Sequence, residues 1–245
     1  MNMNAWAKCP SAWARVKKED VVAGALTGGA PQPPGLSMIT WRTHGTTGTA
    51  ALIVLLALAV AANLAKKGLE KREEARTDNL VLATYTELEN LTGLSRILIS
   101  RALRLLEELQ AISTVKIGNA CAYALRGLEK NGDWCSVPQG RLMDGTDYLK
   151  KLKGIRETIR RPASFFAMKL YILLMVFRDR RANVTRISYE VITQYTGLRR
   201  EDISLGWQTL AALQLAYLAD DYEAPRRTGD GTYNRYRIHG LNASS

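Results

Sequence analysis

The feature that most constrains this 245-residue chain is a motif that occurs twice. Residues 85–110 read YTELENLTGLSRILISRALRLLEELQ, and residues 189–214, which lie 104 positions further on, read YEVITQYTGLRREDISLGWQTLAALQ. The two segments are identical at 10 of 26 positions, and most of the other apolar positions stay apolar. Internal repetition of this kind indicates that one structural unit is built twice. The sequence therefore predicts two similar small domains rather than a single large one.

Each repeated segment has the pattern of a helix-turn-helix. A short helix is expected to end at Thr92-Gly93, because glycine adopts the left-handed conformation of a turn without steric cost. A second helix follows in each copy, over residues 95–109 and 199–213. Ser95 is the expected N-terminal cap of the helix over residues 95–109. In that first helix the apolar residues recur with helical spacing at Ile99, Leu103, Leu106 and Leu109.

An apolar helix precedes each motif and an alternating segment follows it. The apolar runs are residues 50–62 and 165–177. Residues 113–125 alternate around Gly118-Asn119 as a β-hairpin does, and residues 217–238 contain the hairpin-turn signal Asp230-Gly231. The predicted fold is mainly α with small β-hairpin wings, as two winged-helix domains in tandem joined by a basic linker helix.

The composition of the chain suggests four regions. Residues 1–46 are expected to be a flexible leader, and a partner-binding segment is the alternative. Winged-helix domains are expected over 47–126 and 163–245. The linker, 127–162, contains a predicted basic helix over 147–161 that Pro162 would stop. The sequence leaves open whether that helix is a solvated linker or contacts phosphates.

The run of residues 50–62 raises the possibility of a membrane anchor. A membrane span needs about 20 predominantly apolar residues, whereas shorter runs are more often buried core helices. The equivalent position in the second copy, residues 165–177, is similarly apolar and precedes the motif in the same order. A core helix is therefore expected, and membrane tethering is retained as the alternative.

Charge and side-chain inventory restrict the possible functions. The chain has 34 Lys and Arg against 23 Asp and Glu, a net charge of +11 that suits a long polyanion. Its three cysteines, Cys9, Cys121 and Cys135, lack metal-ligand spacing and are expected to be reduced thiols. With only His44 and His239, no histidine cluster is available for zinc or a hydrolytic triad. We expect no catalytic residues, no metal, no cofactor and no small-molecule substrate.

The first copy also resembles a known family. Residues 92–96 (TGLSR) and 99–107 (ISRALRLLE) are similar to the helix-turn-helix core of winged-helix bacterial regulators of the GntR and MarR type. The tandem architecture resembles that of plasmid and phage replication initiators. That resemblance implies that one domain serves dimerisation while the other reads DNA, or that both bind one site.

The expected DNA contacts are the outward positions of the second helices. Residues just after the turn lie closest to the base edges, and arginine pairs well with guanine O6 and N7. Cations of the wings are expected to neutralise phosphates. The predicted contacts are Ser95, Arg96, Ser100, Arg101 and Arg104 in the first copy, Arg199, Arg200, Ser204 and Gln208 in the second, and Lys116, Arg226, Arg227 and Arg235 in the wings.

Two adjacent apolar residues, Ile97 and Leu98, stand where groove-reading helices usually carry polar ones, and Leu105 adds a third. Such side chains can touch thymine methyls, but an adjacent pair favours protein contact. Ile97 and Leu98 are therefore expected to form an interface. On this view the first domain contributes partly to an interface and the second carries more of the DNA reading.

The expected function is a sequence-specific double-stranded DNA-binding protein of the cytoplasm. It would act as a transcriptional regulator or as a replication initiator of a bacterial mobile element, and a homodimer is expected. An assembly module with incidental DNA affinity and a membrane-tethered regulator remain as alternatives.

Overall fold

The computed structural model of the chain describes residues 7–15, 17, 35–69, 80–117, 120–126, 134–219 and 233–241. Within these residues the α-helices are α1 Trp41–Leu69, α2 Tyr85–Thr92, α3 Arg96–Glu108, α4 Gln139–Met143, α5 Lys153–Glu157, α6 Pro162–Val176, α7 Tyr189–Thr196 and α8 Arg200–Ala212. The strands are β1 Ala7–Pro10, β2 Leu80–Leu82, β3 Ile112–Ile117, β4 Ala120–Leu125, β5 Trp134–Val137, β6 Thr185–Ile187, β7 Ala216–Leu218 and β8 Asn234–Ile238.

Two units with the same order of elements account for most of the fold. We call α1, β2, α2, α3, β3 and β4 the first unit, and α6, β6, α7, α8, β7 and β8 the second unit. Each unit has one three-stranded antiparallel sheet, in the orders β2-β4-β3 and β6-β8-β7. The prediction of a mainly helical chain with small β-sheets is confirmed.

Each sheet contains one strand more than the predicted hairpin. β2 and β6 lie between the first two helices of their units and pair with the central strands β4 and β8. They are three residues long, which is too short for an alternating pattern to be recognised in the sequence.

The predicted hairpin strands are present in both units. In the first unit the strands pair up to Ile117 opposite Ala120, so the predicted turn Gly118-Asn119 falls between them but lies outside the described residues. In the second unit Ala216 pairs with Ile238 and Leu218 with Tyr236. The predicted turn at residues 230–231 also lies outside the described residues.

Helix α1 is the core helix of the first unit. It bends at Gly45, whose φ of 45° lies in the left-handed region. Residues 41–64 are apolar enough to cross a membrane, but 72% of the apolar window is buried inside the protein, and residues 50–60 are at most 1% exposed. A lipid-facing helix would leave an apolar side uncovered by protein, whereas protein covers the central turns of α1. Burial therefore supports the expected core helix.

The two units, which correspond to the two predicted domains, pack on one shared hydrophobic core. Helix α1 packs against α3, α6 packs against α8, and α1 and α6 pack against each other. The rings of Trp41 and Phe165 lie 5.8 Å apart at this central contact. A Cβ added to Gly48 would come within 2.9 Å of Phe165, so the α1 backbone lies close to the α6 side chain.

Part of the expected flexible leader, residues 1–46, is folded. Strand β1 pairs with β5 in a two-stranded antiparallel sheet, with Cys9 opposite Cys135. Trp13 is 3% exposed and its indole N–H donates to the Pro10 carbonyl. Burial of apolar groups such as the Trp13 ring stabilises this segment on the core.

The expected basic helix over residues 147–161 is wrong. The structure has a 3-10 turn over Lys150–Leu152 followed by the five-residue helix α5. The backbone N–H of Leu149 donates to the Leu91 carbonyl, so the chain docks on the end of α2 instead of continuing as one helix. Pro162 begins α6 rather than stopping a helix, because the N–H that proline lacks is not needed in a first helical turn.

Candidate nucleic-acid interface

The Thr-Gly-Leu turn has the same geometry in both units. The Thr92 hydroxyl donates to the Leu88 carbonyl at 2.6 Å and accepts from the Leu94 N–H at 3.2 Å. The Thr196 hydroxyl makes the equivalent bonds at the same two distances. Gly93 and Gly197 have φ values of 67° and 69°, as expected for the left-handed position of the turn. These contacts explain why Thr and Gly are retained in both copies.

The far ends of the second helices also match. Gln110 and Gln214 have φ values of 53° and 52°. After each of them the chain turns back, so that Ala111 and Leu215 donate their N–H groups to carbonyls near the ends of α3 and α8 at 2.9 Å. This 6→1 bond is a Schellman-type helix end, which fixes how the wing leaves the helix.

Helix α3 presents most of the predicted contacts of the first copy to solvent. Ser95, Arg96, Arg101 and Arg104 are exposed and Ser100 is half-buried. Ser95 stands at the cap position, but its side chain makes no capping hydrogen bond, unlike the prediction. An open depression of about 490 Å³ lies on this face, lined by Tyr85, Arg96, Ile97, Ser100, Arg101 and Arg104.

Helix α8 presents a less basic face. Arg199, Arg200, Ser204 and Gln208 are all exposed, as predicted. Compared with α3, the position of Arg101 is taken by Leu205, which is 42% exposed, and the position of Arg104 by Gln208.

The arginine that both copies carry in the first helical turn is tied to the preceding helix. Arg96 Nε lies 2.7 Å from a Glu89 carboxylate oxygen, and its Nη2 donates to the Thr86 hydroxyl at 2.8 Å. Arg200 Nη2 lies 3.2 Å from a Glu190 carboxylate oxygen. These hydrogen bonds favour a bracing role for Arg96 and Arg200 in the free protein.

Glu190 is held in its ionised form by its surroundings. Hydrogen bonds from its own backbone N–H, the Ser188 hydroxyl and Arg200 lower the pKa of the Glu190 carboxyl. The carboxylate therefore keeps its charge beside the exposed face of α8, where it would repel an anion.

The remaining cations of the two faces differ in their pairing. Arg199 Nε lies 3.3 Å from an Asp202 carboxylate oxygen, so both arginines that follow the second turn face an acid. Arg101 and Arg104 make no ion pair or hydrogen bond with any residue that the structure describes. The unpaired positive charge of the two faces is therefore concentrated on α3.

Ile97 and Leu98, the two residues expected to form an interface, and the nearby Leu105 differ in exposure. Ile97 is 68% exposed, whereas Leu98 is half-buried and packs against the core. Leu105 is 5% exposed and belongs to the core. The interface predicted for Ile97 and Leu98 stays a prediction, and of these two residues Ile97 has the more exposed side chain.

The predicted wing contacts can be located only in part. Arg235 is half-buried on β8, directly opposite Arg186 of β6. Lys116 lies on β3, one residue before the end of the strand, and the structure describes its backbone but not its side chain. Arg226 and Arg227 lie outside the described residues.

Three lysines of the basic segment 147–161 form ion pairs with acidic residues of the same part of the chain. Lys150 and Lys151 lie 3.6 Å and 3.4 Å from Asp144. The hydrogen bond from Lys151 and the charge of Lys150 lower the pKa of the Asp144 carboxyl, although burial acts in the opposite direction. Lys153 lies 3.6 Å from Glu157. These pairs favour a linker role for this segment over phosphate contact.

A cation supports the turn in each unit, and sequence reasoning missed both. Lys169 is 1% exposed in α6, and its ammonium donates to the carbonyls of Ile39 and Thr196. In the first unit Arg156 donates to the Thr92 carbonyl at 3.3 Å. The detectable signal for Lys169 was a single lysine within an otherwise apolar helix, FFAMKLYILLMV.

The supports are reciprocal between the two units. The segment before α6, which carries Leu149 and Arg156, contacts the end of α2 in the first unit. The 3-10 turn before α1, Leu36–Met38, packs on α7 of the second unit, where a Cβ on Gly197 would lie 3.6 Å from the Ser37 carbonyl oxygen. Each turn is therefore supported by the chain that leads into the other unit.

Comparison with protein-family models and with curated proteins found no match to this chain. Among the described residues no group of three or more His, Cys, Asp and Glu side chains could hold a metal ion.

Proposed function

We propose that the chain is a sequence-specific double-stranded DNA-binding protein built from two winged-helix units, with α3 and α8 as recognition helices. The order helix, strand, helix, helix, strand, strand in both units is that of a winged helix, and it supports this proposal. A cytoplasmic transcriptional regulator or a replication initiator of a bacterial mobile element is the proposed class.

The observation that carries the proposal is the exposed basic face of α3. It begins directly after the Thr-Gly-Leu turn, forms an open depression, and carries Arg101 and Arg104, which have no acidic partner among the described residues. Guanidinium groups on the first turns of such a helix fit guanine O6 and N7 in the major groove or backbone phosphates. A net charge of +11 adds a general attraction to a polyanion.

The reciprocal supports also suggest how the two helices meet DNA. Contacts in which each copy supports the same part of the other are the kind that a two-fold axis produces, whereas a simple translation gives one-way contacts. One chain would then present two recognition helices to inverted half-sites, with different residues reading each half. A homodimer, which the sequence analysis predicted, is not needed to read such a site. Light scattering of the free and DNA-bound protein would measure how many copies of the chain are present in each.

The test is a selection of duplexes from a random library, followed by binding measurements on the recovered site at several salt concentrations. We expect affinity to fall steeply with salt and one defined site to be preferred over unrelated duplexes. The double variant Arg101→Glu/Arg104→Glu should abolish the preference. Lys153→Glu/Arg160→Glu changes the net charge equally but outside helix α3, in the segment between the units, and it should retain the preferred site.

Failure to enrich any site would contradict the proposal, as would equal losses in the two charge-reversed variants. In those cases an assembly module is favoured, with the exposed Ile97 as its contact. The membrane-tethered alternative has no support from the buried residues 50–60.

A further inference from the structure

Ile97 is the exposed apolar side chain of the basic face of α3. It is 68% exposed, and it lines the same depression as Ser100, Arg101 and Arg104. Ser100, Arg101 and Arg104 follow Ile97 at three, four and seven positions, so all three lie on the same side of the helix as Ile97. Ile97 also follows Arg96 in the first helical turn, where recognition helices approach base edges most closely.

A protein interface is a poor explanation for this exposure. The core of an interface is depleted in charged residues and covers a contiguous apolar patch. Leu98 and Leu105, which would have extended the patch, pack towards the core, and the other side chains of the depression include three arginines. The depression therefore holds one branched aliphatic side chain, that of Ile97, among side chains that form hydrogen bonds.

The base edges of the major groove offer one apolar group, the 5-methyl of thymine. We propose that Ile97 contacts this methyl group and so selects thymine at one position of the site that α3 reads. The inference rests on the proposed DNA-binding function and specifies the base that this part of the site recognises. Arg101, one turn further along the helix, would then face a guanine roughly two base pairs away, since one helical turn and two base-pair steps each span about 6 Å.

The second unit provides an internal contrast. The residue equivalent to Ile97 is Glu201, and an acid accepts a hydrogen bond from cytosine N4 but has no use for a methyl group. The thymine requirement should therefore be confined to the half-site that α3 reads.

The experiment uses the duplex recovered by selection with the full chain, in which each thymine is replaced in turn by uracil. Uracil pairs like thymine but lacks the 5-methyl, so the replacement removes that group alone. Burial of one methyl group corresponds to an affinity change of about four-fold. We expect one replacement to weaken binding of the wild-type protein by about that factor. Ile97→Ala should bind the thymine and uracil duplexes equally, at about the weaker affinity.

The control is Leu82→Ala, which truncates another apolar side chain, 62% exposed on β2 and outside the depression. It should keep the thymine preference of the wild type. An identical thymine-to-uracil ratio for wild type and Ile97→Ala at every position would overturn the inference while leaving DNA binding intact. A lower mass of Ile97→Asp in light scattering would overturn it in favour of an interface. Selection that recovers no duplex would overturn the proposed function itself, and this inference with it.

Discussion

Helices α3 and α8 occupy the same place in their units, have the same length, and differ in the chemistry of their outward faces. The positions that make the turn and the helix end are retained, including Thr92 and Thr196 with their matching hydrogen bonds. The outward positions have diverged, so that Arg101 and Arg104 correspond to Leu205 and Gln208. The comparison shows that the repeat conserves what shapes the backbone and varies what a partner would meet.

The pairing of charges reverses the expectation drawn from the sequence. The apolar pair Ile97 and Leu98 in the first copy suggested that the second domain carries more of the DNA reading. In the structure Arg199 and Arg200 face acids, Asp202 and Glu190, whereas Arg101 and Arg104 of α3 face none in the part of the chain that the structure describes. We therefore expect α3 to contribute more of the affinity and α8 less.

The sharpest way to break this comparison is a pair of matched double variants. Arg101→Ala/Arg104→Ala should weaken binding to the selected duplex by about 100-fold, because each arginine contact to a base or phosphate contributes about 1–3 kcal/mol. Arg199→Ala/Arg200→Ala should weaken binding less. To contact DNA, these arginines must first leave Asp202 and Glu190, and the loss of those ion pairs offsets part of the binding free energy. Fluorescence anisotropy at fixed salt measures both, and a larger loss for the second pair would restore the sequence-based expectation.

A second comparison concerns how closely the helices approach each other in the two units. A Cβ on Gly206 of α8 would lie 2.8 Å from the Phe166 carbonyl carbon, which is backbone and cannot move cheaply. The equivalent residue of α3 is the buried Ala102. Gly206→Ala should lower the free energy of unfolding by about 2–3 kcal/mol through overpacking. Ala102→Gly should cost about 1 kcal/mol.

Urea denaturation monitored by tryptophan fluorescence tests both variants. If both variants lowered the free energy of unfolding by the same small amount, α8 could shift away from α6 to make room for the new methyl group, and the predicted overpacking would be contradicted.

The cations that support the two turns should differ in their contributions. Lys169→Met removes a buried donor from two carbonyls and should destabilise the protein by about 2 kcal/mol, because the carbonyls lose their partner. Arg156 is half-buried and supports one carbonyl, so Arg156→Met should cost less than about 1 kcal/mol. Thermal unfolding of both variants measures the difference, and the reverse order would contradict the assigned roles.

The smallest expected difference lies between the two turn glycines. Gly93→Ala and Gly197→Ala both force a side chain into the left-handed region, at a cost of about 1 kcal/mol. A Cβ at Gly93 would in addition overlap the guanidinium of Arg156, whereas at Gly197 it would meet Ser37 at ordinary contact distance. The Gly93 variant should therefore be the less stable. In an Arg156→Ala background the two variants should become equal, which a double-mutant cycle tests.

Local patterns carried the sequence-based prediction where it agreed with the structure. The second helices were predicted within one residue at each end, and the first hairpin was predicted correctly, because turn glycines and apolar spacing report on nearby residues. Three-residue strands are too short to give such a pattern. The bond from Arg156 to Thr92 and the pairing of β1 with β5 join distant parts of the chain, so no local signal predicts them.

The sequence predicted which arginines are exposed at the candidate site, but not which of them form ion pairs with acidic residues. Exposure of Arg96, Arg101, Arg199 and Arg200 follows from helical spacing. The pairing of Arg96 and Arg200 depends on where Glu89 and Glu190 project from the preceding helix, which is set by the crossing of two helices rather than by sequence separation.

The reciprocal supports have a consequence for synthesis. As the chain leaves the ribosome, the first turn emerges well before Arg156, which steadies it, and Ser37 emerges long before Gly197, on which it rests. The first turn therefore acquires its Arg156 contact only after the segment before α6 has been translated, whereas the support of the second turn is made before that turn. Cutting the gene between β4 and β5 would separate each turn from the segment that supports it in the intact chain.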